Sequence, residues 1–405
     1  MSPSPELRAE RRQRPKDRKE QIARASAEAF SELGYHGVSM EEIAGRVGVT
    51  ATSLYRHYAR KYDLFRVAVL ELGEQLVQCT AFVDDADDSN ADGPKATWDR
   101  LVRELIDVAM RNRMSGGLYR WEGRYLEDVD QLVLNAQIKL VNRRLQRPLA
   151  ELRPELGSRE RWTLSSAVLS VIGSITDHRA PLAPDRIQSV LQRIAASIRD
   201  CDLPDEAPTT DLVRASAVGA AAGEYEQILH VAMVLFNERG YRDAGMDDIA
   251  AAANLPTTSL YKFFGGKGAI LATTYRRAAD RVSSDVSMVL AATDDPAEAI
   301  RRLIDAYVRR SFANPELAYV YYAERNNVPS EDRVALHNIQ RATIEAWVRQ
   351  VVAARPGTEV GDARFAVHAA FALVVDLGRL MQYERKASSQ AVVCHLLRTA
   401  LLGNQ

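Results

Sequence analysis

Two stretches decide the fold: Ile43-Ala44-Gly45-Arg46-Val47-Gly48-Val49-Thr50-Ala51-Thr52-Ser53-Leu54-Tyr55-Arg56-His57-Tyr58-Ala59-Arg60-Lys61, and Ile249-Ala250-Ala251-Ala252-Ala253-Asn254-Leu255-Pro256-Thr257-Thr258-Ser259-Leu260-Tyr261-Lys262-Phe263-Phe264-Gly265-Gly266-Lys267. A shift of 206 positions lays one on the other. Working outward in that register, Phe30, Gly34, Tyr35, Met40, Ile43, Ala44, Thr52, Ser53, Leu54, Tyr55 and Lys61 recur as Phe236, Gly240, Tyr241, Met246, Ile249, Ala250, Thr258, Ser259, Leu260, Tyr261 and Lys267. These identities in one ungapped register describe an internal repeat. Beyond this window the similarity fades, although the order of helices runs on in parallel.

Each window reads as three short helices. The first is amphipathic and ends at a Gly-Tyr corner, where Gly34 or Gly240 supplies a left-handed residue. Ser39-Met40-Glu41-Glu42 is a capping-box pattern that opens the second. Gly48, replaced by Asn254 in the second copy, turns the chain into the third, since Asn also tolerates a left-handed corner. This is a helix-turn-helix pattern. The third helix begins with small and polar residues that fit a major groove, and Tyr, Arg and His follow to hold phosphates. Leu54 and Tyr58, four apart, are expected to face inward.

The rest of the chain agrees with an all-α protein. Its 405 residues carry 53 basic and 54 acidic side chains, and 46% are hydrophobic. Disorder as the main state is therefore excluded. Three scattered cysteines imply neither a disulfide framework nor a cysteine zinc site. No signal peptide is evident, and the apolar run Phe365–Leu377 is too short to span a bilayer, so a cytoplasmic location is expected. Helix breaks and the repeat predict a basic disordered arm over 1–15 and a first helix-turn-helix domain over 16–70. A helical ligand-binding and bundle domain follows over 71–200, and a linker over 201–222. The second pair of domains is expected over 223–276 and 277–405. The last two helices of each half (158–178 with 185–199, and 362–383 with 390–401) are expected to form one intramolecular four-helix bundle.

Net charge near zero conceals a local asymmetry. Residues 1–70 hold 13 basic and nine acidic side chains, whereas residues 224–276 hold five and six. Arg14, Lys16, Arg18 and Lys19 belong to a basic arm suited to phosphates or a minor groove. Catalysis is not expected: no nucleophile–base arrangement or metal spacing is present, and no cofactor is implied. Asp84-Asp85-Ala86-Asp87-Asp88 has the DDxxD spacing of a magnesium site but the composition of a solvated loop.

The motif Ile43-Ala44-x-x-Val47-Gly48-Val49-Thr50 with Leu54-Tyr55-Arg56-His57-Tyr58-x-x-Lys61 resembles the DNA-binding signature of TetR-family transcriptional regulators, and the second copy resembles it too. At about twice a usual protomer's length, the chain is similar to the tandem members of that family from actinobacteria. The resemblance implies that Thr50, Ala51, Thr52, Ser53 and Arg56 face bases or nearby phosphates, and that Tyr55, His57 and Lys61 bind phosphate. Thr257, Thr258, Ser259, Tyr261, Lys262 and Lys267 are their counterparts. It also implies a bacterial, ligand-responsive repressor that binds double-stranded operator DNA as a covalent pseudo-dimer, with further oligomerisation open. Its effector would be small and apolar, lipid-like, in a pocket walled by Tyr119, Trp121 and Tyr125 and by Tyr319 and Tyr322, with Glu122, Arg124, Glu324 and Arg325 as polar anchors. The alternative is a ligand-binding or interaction protein whose second helix-turn-helix no longer binds DNA.

Overall fold

The computed structural model describes residues 15–85, 93–204, 223–384 and 386–403, with side chains from residue 19 onward. Among these, the chain is helical throughout and forms no β-strand. The first half runs α1 (Pro15–Gly37), α2 (Met40–Val47), α3 (Ala51–Tyr55), α4 (Lys61–Cys79), α5 (Gly93–Arg111), α6 (Leu118–Trp121), α7 (Asp128–Leu152), α8 (Ser158–Gly173) and α9 (Pro184–Asp200). The second half repeats the order as α10 (Glu224–Arg239), α11 (Met246–Ala252), α12 (Thr257–Tyr261), α13 (Lys267–Ala292), α14 (Pro296–Ala313), α15 (Pro315–Ala323), α16 (Ser330–Ala354), α17 (Val360–Leu380) and α18 (Ala387–Leu402). The basic arm before residue 15 and linker residues 205–222 lie outside the described residues.

The described residues fall into two compact units, one within 15–81 and 111–141, the other within 82–110 and 142–403. In the first, Phe30, Ile43, Leu54, Leu64 and Phe65 are fully buried and join α1–α4, and Leu118 and Leu126 pack onto the same core. In the second, Phe236, Ile249, Leu260 and Ile270 do the same for α10–α13. These are the repeat-equivalent positions of Phe30, Ile43, Leu54 and Leu64, so the two copies share one core pattern.

The second unit also holds the four-helix bundle of α8, α9, α17 and α18. On α9, Ile187, Val190, Leu191, Ile194 and Ile198 recur at three- and four-residue steps and are buried, the stripe expected of a helix with one solvent face. α17 touches α8, α9, α16 and α18 and is therefore apolar nearly all round; the run Phe365–Leu377 lies in it. No described helix is long and apolar enough to cross a membrane. Buried Asp362, at the start of α17, receives Arg186 and Arg193 of α9 at 2.8 and 3.1 Å. Deeper in, Ser170 of α8 donates to Asp376 of α17 at 2.7 Å. Equivalent helices of the two halves thus meet face to face.

Candidate nucleic-acid interface

The first helix-turn-helix is built by local chemistry that its sequence announces. Ser39 caps α2 by accepting the Glu42 N–H at 3.1 Å, an interaction that typically contributes about 1 kcal/mol. Gly48 ends α2 in the left-handed region (φ 71°), and Thr50 caps α3 by accepting the Ser53 N–H at 3.2 Å. Leu54 and Tyr58 turn inward, fixing the rotation of α3. Thr50, Thr52, Tyr55, Arg56 and His57 are consequently exposed together, whereas Ala51 and Ser53 are half-buried. Arg56 has no ion pair among the described residues, leaving its charge available to an outside anion.

The second copy keeps the frame and alters the face. Asn254 takes the corner at φ 53°, as Gly48 does. Pro256 stands at the cap of α12 with no side-chain acceptor. Thr258, Tyr261 and Lys262 are exposed, but Thr257 donates its hydroxyl to Asp247 at 2.8 Å. Ser259, expected on the DNA face, is buried, because the short helix turns it toward the core beside Leu260. Phe263 replaces His57 and is 44% exposed, presenting an apolar ring where the first copy presents an imidazole.

Lys61 and Lys267, which the resemblance assigns to phosphates, are engaged by the protein's own backbone. Lys61 Nζ donates to the carbonyls of Tyr35 and Val38 at 2.9 and 3.2 Å. Lys267 Nζ donates to Tyr241, Arg242 and Ala244 at 2.8, 2.9 and 3.2 Å, and burial together with nearby Arg242 lowers its pKa. Each ammonium meets carbonyls left unpaired where the first helix ends, which satisfies donor and acceptors at once. In the arm, helix α1 already begins at Pro15 and Lys19 is exposed, while Arg14 and the side chains of Lys16 and Arg18 lie outside the described residues.

The expected effector residues divide. Tyr119 and Tyr125 pack on the first helix-turn-helix core, with Tyr125 stacked on Tyr35 (centroids 5.8 Å) and edge-on to His36. Trp121 is buried. Tyr319 is buried under the Arg379 guanidinium, and Tyr322 lies against Tyr321. Glu122 and Glu324 bind backbone N–H groups rather than standing clear in a pocket. Sequence reasoning missed Trp347 and Phe371, which cluster with Tyr307 at centroid distances of 4.7 to 6.1 Å. The Trp347 indole N–H is buried with no acceptor among the described residues, and burial pushes the Tyr307 and Tyr321 phenols up. Helical spacing marks Trp347 as core, and nothing in its neighbours signals more. Of the acidic run, Asp84 pairs with Arg144 at 2.5 Å; Asp87 and Asp88 lie outside the described residues.

The family model described as "Bacterial regulatory proteins, tetR family" matches residues 22–68 and again 228–274. An uncharacterized HTH-type transcriptional regulator of Mycobacterium tuberculosis is 27% identical over 184 residues, covering 45% of this chain and 89% of that protein. The HTH-type transcriptional activator FasR of Mycolicibacterium smegmatis is 42% identical over 55 residues, 14% of this chain and 25% of FasR. Among solved structures, the regulator PfmR from Thermus thermophilus aligns with 23% identity and a TM-score of 0.40, over 44% of this chain and 96% of its own. AibR, solved with isovaleryl coenzyme A and operator DNA, aligns with 20% identity and a TM-score of 0.36, over 43% and 96%.

Proposed function

Starting from a chain that is a tandem TetR-family transcriptional regulator, we propose that it is a ligand-responsive repressor acting on its operator as a covalent pseudo-dimer. The observation that carries this reading is the pairing of two helix-turn-helix copies with unlike exposed faces and a four-helix bundle made of repeat-equivalent helices in one polypeptide. Thr50, Thr52, Tyr55, Arg56 and His57 would supply most contacts to one half-site, with Thr258, Tyr261 and Lys262 reading the other more weakly. Unlike readers imply an imperfectly palindromic operator, its half-sites about one helical turn apart. A small apolar effector among the tyrosines and tryptophans that follow each helix-turn-helix would favour a DNA-incompetent state, since a ligand shifts only an equilibrium whose states it binds unequally. Tyr319, Tyr322, Tyr307 and Trp347 are the contacts favoured in the second half, Tyr119 and Trp121 in the first.

Footprinting on the promoter beside its own gene, followed by titration of three duplexes, tests the proposal. The natural site should bind tighter than a perfect palindrome of either half-site; a palindrome that binds best contradicts the pseudo-dimer reading. A second reading, in which the second helix-turn-helix has lost DNA, is favoured by the exposed Phe263, the buried Ser259 and the uncapped α12. A footprint confined to one half-site would select it.

A further inference from the structure

Both helix-turn-helix units are gripped at the same place. Glu122, which follows α6, accepts the Tyr35 N–H at 2.8 Å; Glu324, which follows α15, accepts the Tyr241 N–H at 3.0 Å. From the other side Lys61 and Lys267 donate to the carbonyls of those same two tyrosines. The corner where the first helix of the motif gives way to the second is thus held through its N–H by a carboxylate and through its carbonyls by an ammonium. Gly34 (φ 74°) and Gly240 (φ 85°) adopt there the backbone that glycine tolerates best. Both carboxylates are buried, 7% and 1% exposed, and a buried charge persists only where partners hold it.

The duplication of this grip does not follow from the repeat register. Glu122 lies 87 residues from Tyr35, whereas Glu324 lies 83 from Tyr241. The intervening sequence has slipped by four positions, yet a carboxylate reaches the same backbone amide in both copies.

We propose that Glu122 and Glu324 are positioning residues for DNA binding. Each sets, through the Gly-Tyr corner, the pose of its own recognition helix. The proposal rests on the DNA-binding reading above, but half of its test does not. In the full chain, Glu122→Leu and Glu324→Leu are compared with Glu122→Gln and Glu324→Gln, which keep an acceptor oxygen. Residue-resolved amide exchange is followed without DNA, and affinity is measured for a duplex enriched from random sequence with the parent chain. Each Leu variant should speed exchange of the corner amide in its own copy at least tenfold, leave the other corner and the thermal midpoint unchanged, and weaken DNA binding roughly fivefold or more. Each Gln variant should restore both. Unchanged corner exchange, or faster exchange throughout the unit with a lower midpoint, overturns the proposal. Exchange that responds without a change in affinity overturns the positioning role in DNA binding. A parent chain that enriches no duplex overturns the DNA reading while the exchange result still decides the grip.

Discussion

The two helix-turn-helix copies share a core and differ on the surface. Phe30, Ile43 and Leu54 have identical, equally buried partners in Phe236, Ile249 and Leu260. Ser39 and Thr50, which cap two helices of the first copy, become Gly245 and Pro256, and His57 becomes Phe263. In the second copy Asp248 compensates in part, accepting the Gly245 N–H at 2.7 Å. The strut beneath the helices differs too. Tyr62 and Arg66 both donate to Asp130, at 2.6 and 2.5 Å, whereas Gly268 and Ala272 occupy the equivalent positions of the second copy. Both copies retain the core that folds the motif and the exposed Thr-x-x-Tyr of its third helix; only the first retains the caps and the His57 imidazole.

This contrast can be broken by substitution. The largest effect is expected from Arg56→Ala, which should weaken operator binding by about 1–3 kcal/mol, while Lys262→Ala costs well under half of that; equal losses in a binding titration would erase the asymmetry. Next, Thr50→Ala should destabilise the first motif by about 1 kcal/mol, and Pro256→Thr, which adds a cap, should stabilise the second by a similar amount, read from local amide exchange. Neutralising Lys16, Arg18 and Lys19 should flatten the salt dependence of binding by up to about 0.9 in slope for each phosphate no longer neutralised; an unchanged slope removes the arm from the interface. The smallest effect concerns acid. Burial raises the Asp130 pKa, but hydrogen bonds from Tyr62 and Arg66 outweigh it and hold the carboxyl below its usual range. Its contribution to stability is therefore present above the ordinary carboxylate pKa, near 3.9, and is lost as pH falls through the folded value. Asp130→Asn should remove that acid sensitivity from the first unit alone.

Most of the motif was legible because its signals are local. Left-handed corners at Gly34, Gly48 and Asn254, the Ser39 and Thr50 caps, and the inward Leu54–Tyr58 pair each depend on a few adjacent residues. The bundle helices were legible through their breaks and apolar spacing. Long, flexible side chains were not: nothing adjacent to Lys61 shows that its ammonium turns back to Tyr35 rather than out to a phosphate. Nor does spacing reveal that Glu122 reaches an amide 87 residues away, since the contact depends on how the following helices pack. Thr257 and Ser259 stand less openly than their letters suggest for a related reason, as a five-residue match does not report the neighbour, Asp247, that engages one of them or the burial of the other.

The hydrogen bond between Ser170 and Asp376 has a consequence for how such a chain can evolve. In a homodimer both faces of the interface carry the same sequence, so any substitution is imposed on both sides at once. Fusion lifts that constraint, letting donor and acceptor diverge to fit each other. Once they have, neither half can revert to self-pairing without restoring a mismatch. Gene fusion thereby becomes a ratchet: it fixes the two halves at one-to-one stoichiometry, shields them from exchange with related subunits, and lets each specialise under its own selection.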